Sequence, residues 1–220
     1  MSMLSLAEEN YLKTIYHLSD GGLKEVSTNA IADHLNTKAA SVTDMIKKLN
    51  GKGLVTYKKY KGVNISEDGK PKALIVIRKH RLWEVFLVEK LKFHWDEVHE
   101  VAEQLEHISS PLLIKRLDEF LGYPKFDPHG DPIPDENGEF KFKPQVPLSE
   151  TDINGMGILV AVKDTSSPFL KYLDKIGIYI GAKLKVQDKV EFDGSHEVLI
   201  DGKKTVFISR EVSENLLITE

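Results

Sequence analysis

The stretch SVTDMIKKLNGKGLVTYKKYKGVNIS (41–66) decides the fold. Val42, Met45, Ile46 and Leu49 recur at three- and four-residue steps, which predicts a helix with one apolar face. Asn50-Gly51-Lys52-Gly53 stops it. Leu54-Val55-Thr56-Tyr57 and Val63-Asn64-Ile65 then read as two strands, joined by the basic turn Lys58-Lys59-Tyr60-Lys61-Gly62. Upstream, Thr28 to Leu35 predicts a short helix with Ser27 or Thr28 as N-cap, and a turn at Asn36-Thr37 separates the two helices. Residues 4–20 predict a further amphipathic helix through Leu4, Leu6, Tyr11, Leu12, Ile15, Tyr16 and Leu18, ended by Asp20-Gly21-Gly22. Helix, short turn, helix and two-stranded hairpin in that order is the pattern of a winged helix-turn-helix domain.

Further along, a long helix is expected from about Ser66 to Leu91, with Pro71 tolerated in its first turn. Another starts near Trp95-Asp96-Glu97, with carboxylates at its positive end, and finishes around His107-Ile108. A third spans about Pro111 to Leu121. These helices are more apolar than a solvated linker needs and read as a dimerisation unit. The stretch GYPKFDPHGDPIPDENGEFKFKP (122–144) holds five of the nine prolines and reads as a linker or ordered surface loop. Beyond it, short runs at 158–162, 183–186, 190–192, 197–200, 205–208 and 216–218 predict a small β-barrel. The fold class is therefore mainly α with small β. The expected domains are 1–66 (winged helix-turn-helix), 67–147 (a helical dimerisation unit with the proline-rich loop) and 148–220 (the small barrel).

Composition excludes several classes. The 220 residues contain no cysteine, so disulfides, thiolate nucleophiles and Cys-based zinc sites are ruled out. The N-terminus carries early charges and lacks the apolar core of a signal peptide. No run approaches the roughly 20 apolar residues of a membrane span. A cytoplasmic protein is expected, without a membrane partner or a small organic substrate. Walker, G-x-G-x-x-G and G-x-S-x-G motifs are missing.

The segment HWDEVHEVAEQLEH (94–107) carries the chemistry. On a helix, His99, Glu103, Glu106 and His107 point roughly the same way. Like charges on one stripe repel unless something positive sits among them, and a divalent cation is the natural counter-charge. A solvated acidic face is the alternative. His80 and Glu84 lie one turn apart on the preceding helix, and Asn10 offers a carbonyl oxygen from the first. Nitrogen and oxygen donors without sulfur suit Mn(II) or Fe(II), while zinc stays open because affinity alone favours it. His99-Glu100-Val101-Ala102-Glu103 is not an HExxH zinc-protease signature, since its last residue is Glu.

Four segments carry a resemblance to a known family: EENYLKTIYHL (8–18), the stretch 41–66, RKHRLWEVFL (78–87) and HEVAEQLEH (99–107). The sequence resembles the diphtheria-toxin-repressor family of metal-dependent transcriptional repressors, which includes the manganese transport regulators. FDPHGDPIPDENG (126–138) is similar to a loop of the larger members, which continue into an SH3-like (FeoA-like) barrel. The resemblance implies a primary metal site of Asn10, Glu103, Glu106 and His107. It implies an ancillary site of His80, Glu84 and His99, with Asp164 as the candidate ligand from the barrel. Iron-sensing members usually carry Met and Cys at the positions of Asn10 and Glu103, and manganese-sensing members Asp and Glu. Glu103 thus leans toward manganese. Lys13 stands where manganese regulators supply a second carboxylate from the first helix.

The resemblance further implies double-stranded operator DNA as partner, a homodimer on a palindrome, and Mn2+ or Fe2+ as co-repressor controlling metal-uptake genes, with Mn2+ favoured and Zn2+ able to bind in vitro. The DNA-contacting set would be Thr37, Lys38, Ala40, Ser41, Thr43, Asp44, Lys47 and Lys48 on the recognition helix, and Lys58, Lys59 and Lys61 on the wing. Hydroxyls and lysines suit phosphates, and small alanines admit thymine methyls. Asp44 cannot approach a phosphate favourably and would meet a cytosine amine or face away. Two other readings stay open: a winged-helix regulator with a non-metal effector, and a metalloenzyme with a nucleic-acid module. The formal net charge is −4. Between Lys24 and Gly62, however, eight lysines less three carboxylates give +5, so the rest of the chain carries −9. A basic reader is joined to an acidic sensor.

Overall fold

Capping starts the first helix. In this computed structural model, which describes residues 4–58, 61–140 and 144–219, helix α1 (Leu6–Leu18) opens on a capping box. Glu8 N–H donates to Ser5 Oγ at 3.3 Å, and Ser5 N–H donates back to Glu8 Oε2 at 2.9 Å. Asp20, Gly21 and Gly22, all at positive φ, turn the chain away after its end. Helix α2 (Thr28–His34) is capped by Ser27 Oγ, which accepts from Ala30 N–H at 3.1 Å. Asn36 in the left-handed region makes the turn to α3 (Ala39–Gly51). The wing is the antiparallel pair β1 (Val55–Lys58) and β2 (Gly62–Ile65), with Val55 opposite Ile65 and Lys58 opposite Gly62. An isolated antiparallel bridge from Val26 to Val63 ties the segment before α2 to the wing, which periodicity does not reveal. Gly62 sits at φ +130°, where a Cβ would come within 2.7 Å of the Val26 carbonyl oxygen.

The chain divides into two units. The first comprises Met1–His80, Glu103–Pro111 and Pro134–Glu139. Its core joins Leu12 and Ile15 of α1 to Ile31 of α2, to Val42, Ile46 and Leu49 of α3, and to Val63 of β2, all fully buried. Each such side chain contributes about 1.5–3 kcal/mol relative to exposure. The unit also takes the first half of α4 (Lys70–Glu89), which starts four residues later than expected, with Pro71 in its first turn.

The second unit comprises Arg81–Ala102, Leu112–Ile133 and Phe140–Glu220. It contains the rest of α4, the start of α5 (Val98–Leu105) and α6 (Pro111–Phe120). An antiparallel six-stranded sheet follows, built from β3 (Val146–Pro147), β4 (Met156–Val162), β5 (Lys183–Lys189), β6 (His196–Ile200), β7 (Lys204–Ile208) and β8 (Leu216–Thr219). The strand order is β3-β8-β4-β5-β6-β7. Leu159, Leu184, Val186, Val198, Leu216 and Ile218 fill its core with Leu170 and Leu173 of an added helix, α7 (Ser167–Ile176). A second added helix, α8 (Arg210–Asn215), precedes β8.

Three expectations need correction. The run at 190–192 is a turn, not a strand: Val190 N–H bonds the Ser195 carbonyl and Phe192 stands in solvent. Residues 95–97 lie before α5, because Glu97 accepts the His94 N–H at 3.0 Å and thereby holds a turn. Glu106 and His107 lie in the turn beyond α5 rather than on it.

Candidate metal centres and nucleic-acid face

The first cluster lies within the first unit. Asn10 and Lys13 stand one turn apart on α1. Glu103 lies in the last turn of α5, and Glu106 and His107 follow it. Glu106 is fully buried. Its Oε2 accepts from Lys13 Nζ at 2.8 Å and faces His80 Nδ1 at 2.6 Å. Lys13 Nζ also donates to Glu103 Oε1. A carboxylate only accepts, so the proton in the His80 contact sits on Nδ1. His107 is oriented in the same way: Nδ1 donates to Glu9 Oε2 at 2.7 Å. Its Nε2 stands 3.7 Å from Glu106 Oε1, too far for a hydrogen bond.

Two buried acceptors here have no hydrogen-bond partner, Asn10 Oδ1 and Glu106 Oε1. An orphaned buried acceptor is costly and calls for an explanation. A transition-metal cation meets nitrogen and oxygen ligands at about 2.1 Å, so it can join donors separated by up to about 4 Å. The 3.7 Å between His107 Nε2 and Glu106 Oε1 falls within that span, with Glu9 as the carboxylate behind the histidine. Sequence reasoning missed Glu9, because it forms no pattern with the other ligands.

A second cluster lies within the second unit. Ligand-capable atoms of Glu84, Asp127 and His129 all fall within 4.8 Å of one another, and the three residues are buried. His129 Nε2 donates to the Trp95 carbonyl at 2.8 Å, and its Nδ1 stands 3.8 Å from Glu84 Oε2. The Asp127 carboxyl is pushed well above the usual range, first by burial and then by the charges of Glu84 and Asp131, with Arg81 opposing. A cation would relieve that crowding. The loop is pinned by Arg81, which faces Asp127 Oδ2 at 3.5 Å and Asp131 Oδ2 at 3.1 Å. Asp127 and His129 sit in the proline-rich stretch that reads as a loop. The only signal for them is a carboxylate and an imidazole two residues apart.

The expected ancillary residues are distributed as follows. His80 contacts Glu106 of the first cluster. Glu84 belongs to the second cluster, and His99 Nδ1 stands 3.5 Å from Glu84 Oε1. Asp164 lies two residues beyond Val162, whose N–H bonds the His129 carbonyl. Its own Oδ1 accepts from Ser166 N–H at 2.8 Å.

At the start of α3, Thr37, Lys38, Ala40 and Ser41 are exposed, and Lys38 is the N-cap. Thr43 donates its hydroxyl to the Ala39 carbonyl, and Asp44 faces Lys47 at 3.5 Å. Lys48 is turned to α1, 3.2 Å from Glu8 Oε1. Lys58 faces Glu25 at 3.8 Å, Lys61 is exposed, and Lys59 lies outside the described residues. Burial opposes ionisation of Glu8, but bonds from Lys52, the Ser5 amide and Lys48 prevail and hold its carboxyl at about 2.

Three segments of the chain match known protein families. Residues 3–63 match the family described as "Iron dependent repressor, N-terminal DNA binding domain", and residues 66–135 match "Iron dependent repressor, metal binding and dimerisation domain". Residues 146–220 match the FeoA domain. An uncharacterised HTH-type transcriptional regulator of Methanocaldococcus jannaschii is 35% identical over 118 residues, 54% of this chain and 94% of its own length. The chain belongs to the iron-dependent repressor family. Within that family, the iron-dependent repressor IdeR of Mycobacterium tuberculosis is 34% identical over 134 residues, covering 61% of this chain. The match spans 58% of that relative's length. Among solved structures, a manganese-dependent transcriptional repressor in complex with manganese superposes with a TM-score of 0.88 at 34% identity. It covers 97% of this chain and 99% of its own. The manganese regulator SloR gives 0.77 at 34% identity, covering 97% and 98%. The iron-dependent repressor family is one of DNA-binding regulators rather than enzymes.

Proposed function

We propose that this chain is a metal-dependent transcriptional repressor. It would act as a homodimer on palindromic operators, with Mn(II) or Fe(II) as co-repressor and Mn(II) favoured. The observation that carries this reading is the pair of orphaned buried acceptors, Asn10 Oδ1 and Glu106 Oε1, on two different segments of one unit. Asn10, Glu103, Glu106 and His107 would hold one ion. Glu84, Asp127 and His129 would hold a second, with His80, His99 and Asp164 as the further candidates. The functional division would be 1–66 for DNA, 67–147 for metal and dimerisation, and 148–220 for the FeoA-like module.

The mechanism follows from linkage. An ion shifts an equilibrium only if it binds the DNA-competent state better. Asn10 lies on α1, whose Leu12 and Ile15 share a core with Ile46 and Leu49 of α3. Glu8 adds a polar tie to Lys48 on α3 and Lys52 at its end. An ion at the first cluster supplies a cross-link between α1 and the turn after α5. The position of α1, and with it the exposed start of α3, then depends on occupancy. Thr37, Lys38, Ala40, Ser41, Thr43, Asp44 and Lys47 on the helix, and Lys58, Lys59 and Lys61 on the wing, would meet DNA; Lys48 would serve α1 as well.

The test selects binding sites from a randomised duplex pool with Mn(II) present, then titrates the recovered DNA with and without chelator. We expect binding to weaken by at least about tenfold when Mn(II) is removed. Equal affinity in chelator would overturn the reading. Glu106→Gln and His107→Ala are each expected to abolish the metal response.

A further inference from the structure

Lys13 is an ammonium placed where a cation belongs. It is 9% exposed, and its Nζ donates to both Glu103 and Glu106. A lysine this buried needs compensating charge, and here the compensation is two carboxylates of the first metal cluster. The arrangement about Glu106 has two sides. Oε2 is engaged by Lys13 and His80, while Oε1 is orphaned and faces His107 Nε2. We propose that Lys13 is a tethered cation that occupies one of two adjacent cation positions around Glu106, so that the first cluster admits a single divalent ion at reduced affinity. The inference rests on the metal-dependent reading of the cluster.

The physics is charge against charge. A fixed +1 next to an incoming divalent ion raises that ion's energy. Inside a site shielded from water such repulsion is screened far less than in bulk solvent, which is why a change of about tenfold in binding is expected. Lys13 also draws off the negative charge of Glu103, one of the anionic ligands that a divalent ion would otherwise use. In return, the same ammonium links α1 to the residues at the end of α5 without any ion. The metal-free protein keeps part of the tie that coordination would complete. Lys13 is thus a determinant of how much metal the regulator needs before it responds.

Full-length protein is titrated with Mn(II), following the free-ion signal by electron paramagnetic resonance, for the parent chain, Lys13→Gln, Lys13→Arg and Lys13→Gln/Glu106→Gln. Removing the charge is expected to tighten Mn(II) binding by about tenfold or more, or to add a second ion per chain. Lys13→Arg keeps the parent affinity, and the double variant loses the gain. Unchanged or weaker binding in Lys13→Gln overturns the proposal, as does an equal gain in Lys13→Arg. A second measurement does not depend on the variants folding. Anomalous scattering from parent crystals grown in millimolar Mn(II) should place one ion by Asn10, Glu106 and His107, with Lys13 still on Glu103 and Glu106. Two ions there, with Lys13 displaced, would overturn it. The regulator reading fails separately. In that case the parent's DNA affinity ignores Mn(II), whatever Lys13→Gln does to ion binding.

Discussion

Single ionisable groups in this chain are assigned by what surrounds them. His107 and His80 each give one ring proton to a carboxylate, and His129 gives one to a backbone carbonyl. A carboxylate or carbonyl behind the ring fixes which nitrogen a metal would take. Replacing Glu9 by Gln removes the carboxylate behind His107 while leaving every ligand in place. Mn(II) affinity at the first cluster is then expected to fall about 10-fold, in the range found for outer-shell partners; an isothermal titration of the variant checks it. Glu8 gives a pH prediction. Its folded carboxyl stands at about 2, below the ordinary 4.5. A depressed folded value means that Glu8 contributes stability that is fully present above pH 4.5 and lost as pH falls from there through 2. Glu8→Gln keeps a side chain able to complete the capping box but drops the charge facing Lys48 and Lys52. Thermal melts followed by circular dichroism should show it about 1–2 kcal/mol less stable at neutral pH, with a flatter acid limb.

At the scale of elements, legibility in the sequence followed the type of constraint. The winged domain was readable because each piece carries a local signal: apolar faces on α1 and α3, Ser27 before α2, glycines after α3, and alternation in the wing. Asn10, Glu103, Glu106 and His107 were readable as types, but not their final arrangement. The turn after α5 and the role of Lys13 depend on contacts across about ninety residues of chain. Helices α7 and α8 were missed because a ten-residue and a six-residue helix between strands resemble the loops of a barrel. The loop carrying Asp127 and His129 was missed as a candidate site because the placement of these side chains is set by backbone geometry. Asp127 Oδ1 accepts the N–H groups of His129 and Asp131, and Gly130 at φ +90° lies against β4. A Cβ on Gly130 would come within 1.8 Å of the Val160 carbonyl oxygen. Gly130→Ala must therefore move the loop and its histidine. It is expected to cost the second cluster its Mn(II), read as one ion fewer per chain in elemental analysis, while the first cluster is retained. Loss of both ions would contradict this assignment of the loop.

Across the whole molecule, the net −4 hides a functional separation of charge. Lysines in the basic segment are not equivalent. Lys48 and Lys52 neutralise the buried Glu8, and Lys58 faces Glu25, whereas Lys38 and Lys61 are exposed at the N-cap of α3 and in the wing. Counterion release makes log K fall with log salt in proportion to the phosphates neutralised, with a slope of about −0.9 for each. Lys38→Gln and Lys61→Gln are each expected to make the slope shallower by about 0.9 per protomer, without lowering the melting temperature. Lys48→Gln should change the slope less and lower the melting temperature, because its ammonium serves α1. Anisotropy titrations of one selected duplex at several salt concentrations separate the two groups. A slope change in Lys48→Gln as large as that in Lys38→Gln, with unchanged stability, would place Lys48 on the phosphate backbone and release Glu8 to Lys52 alone. On the proposed function, basic charge in this chain divides between reading DNA and holding α1, the helix that also carries Asn10 and Lys13, and the two uses can be measured separately.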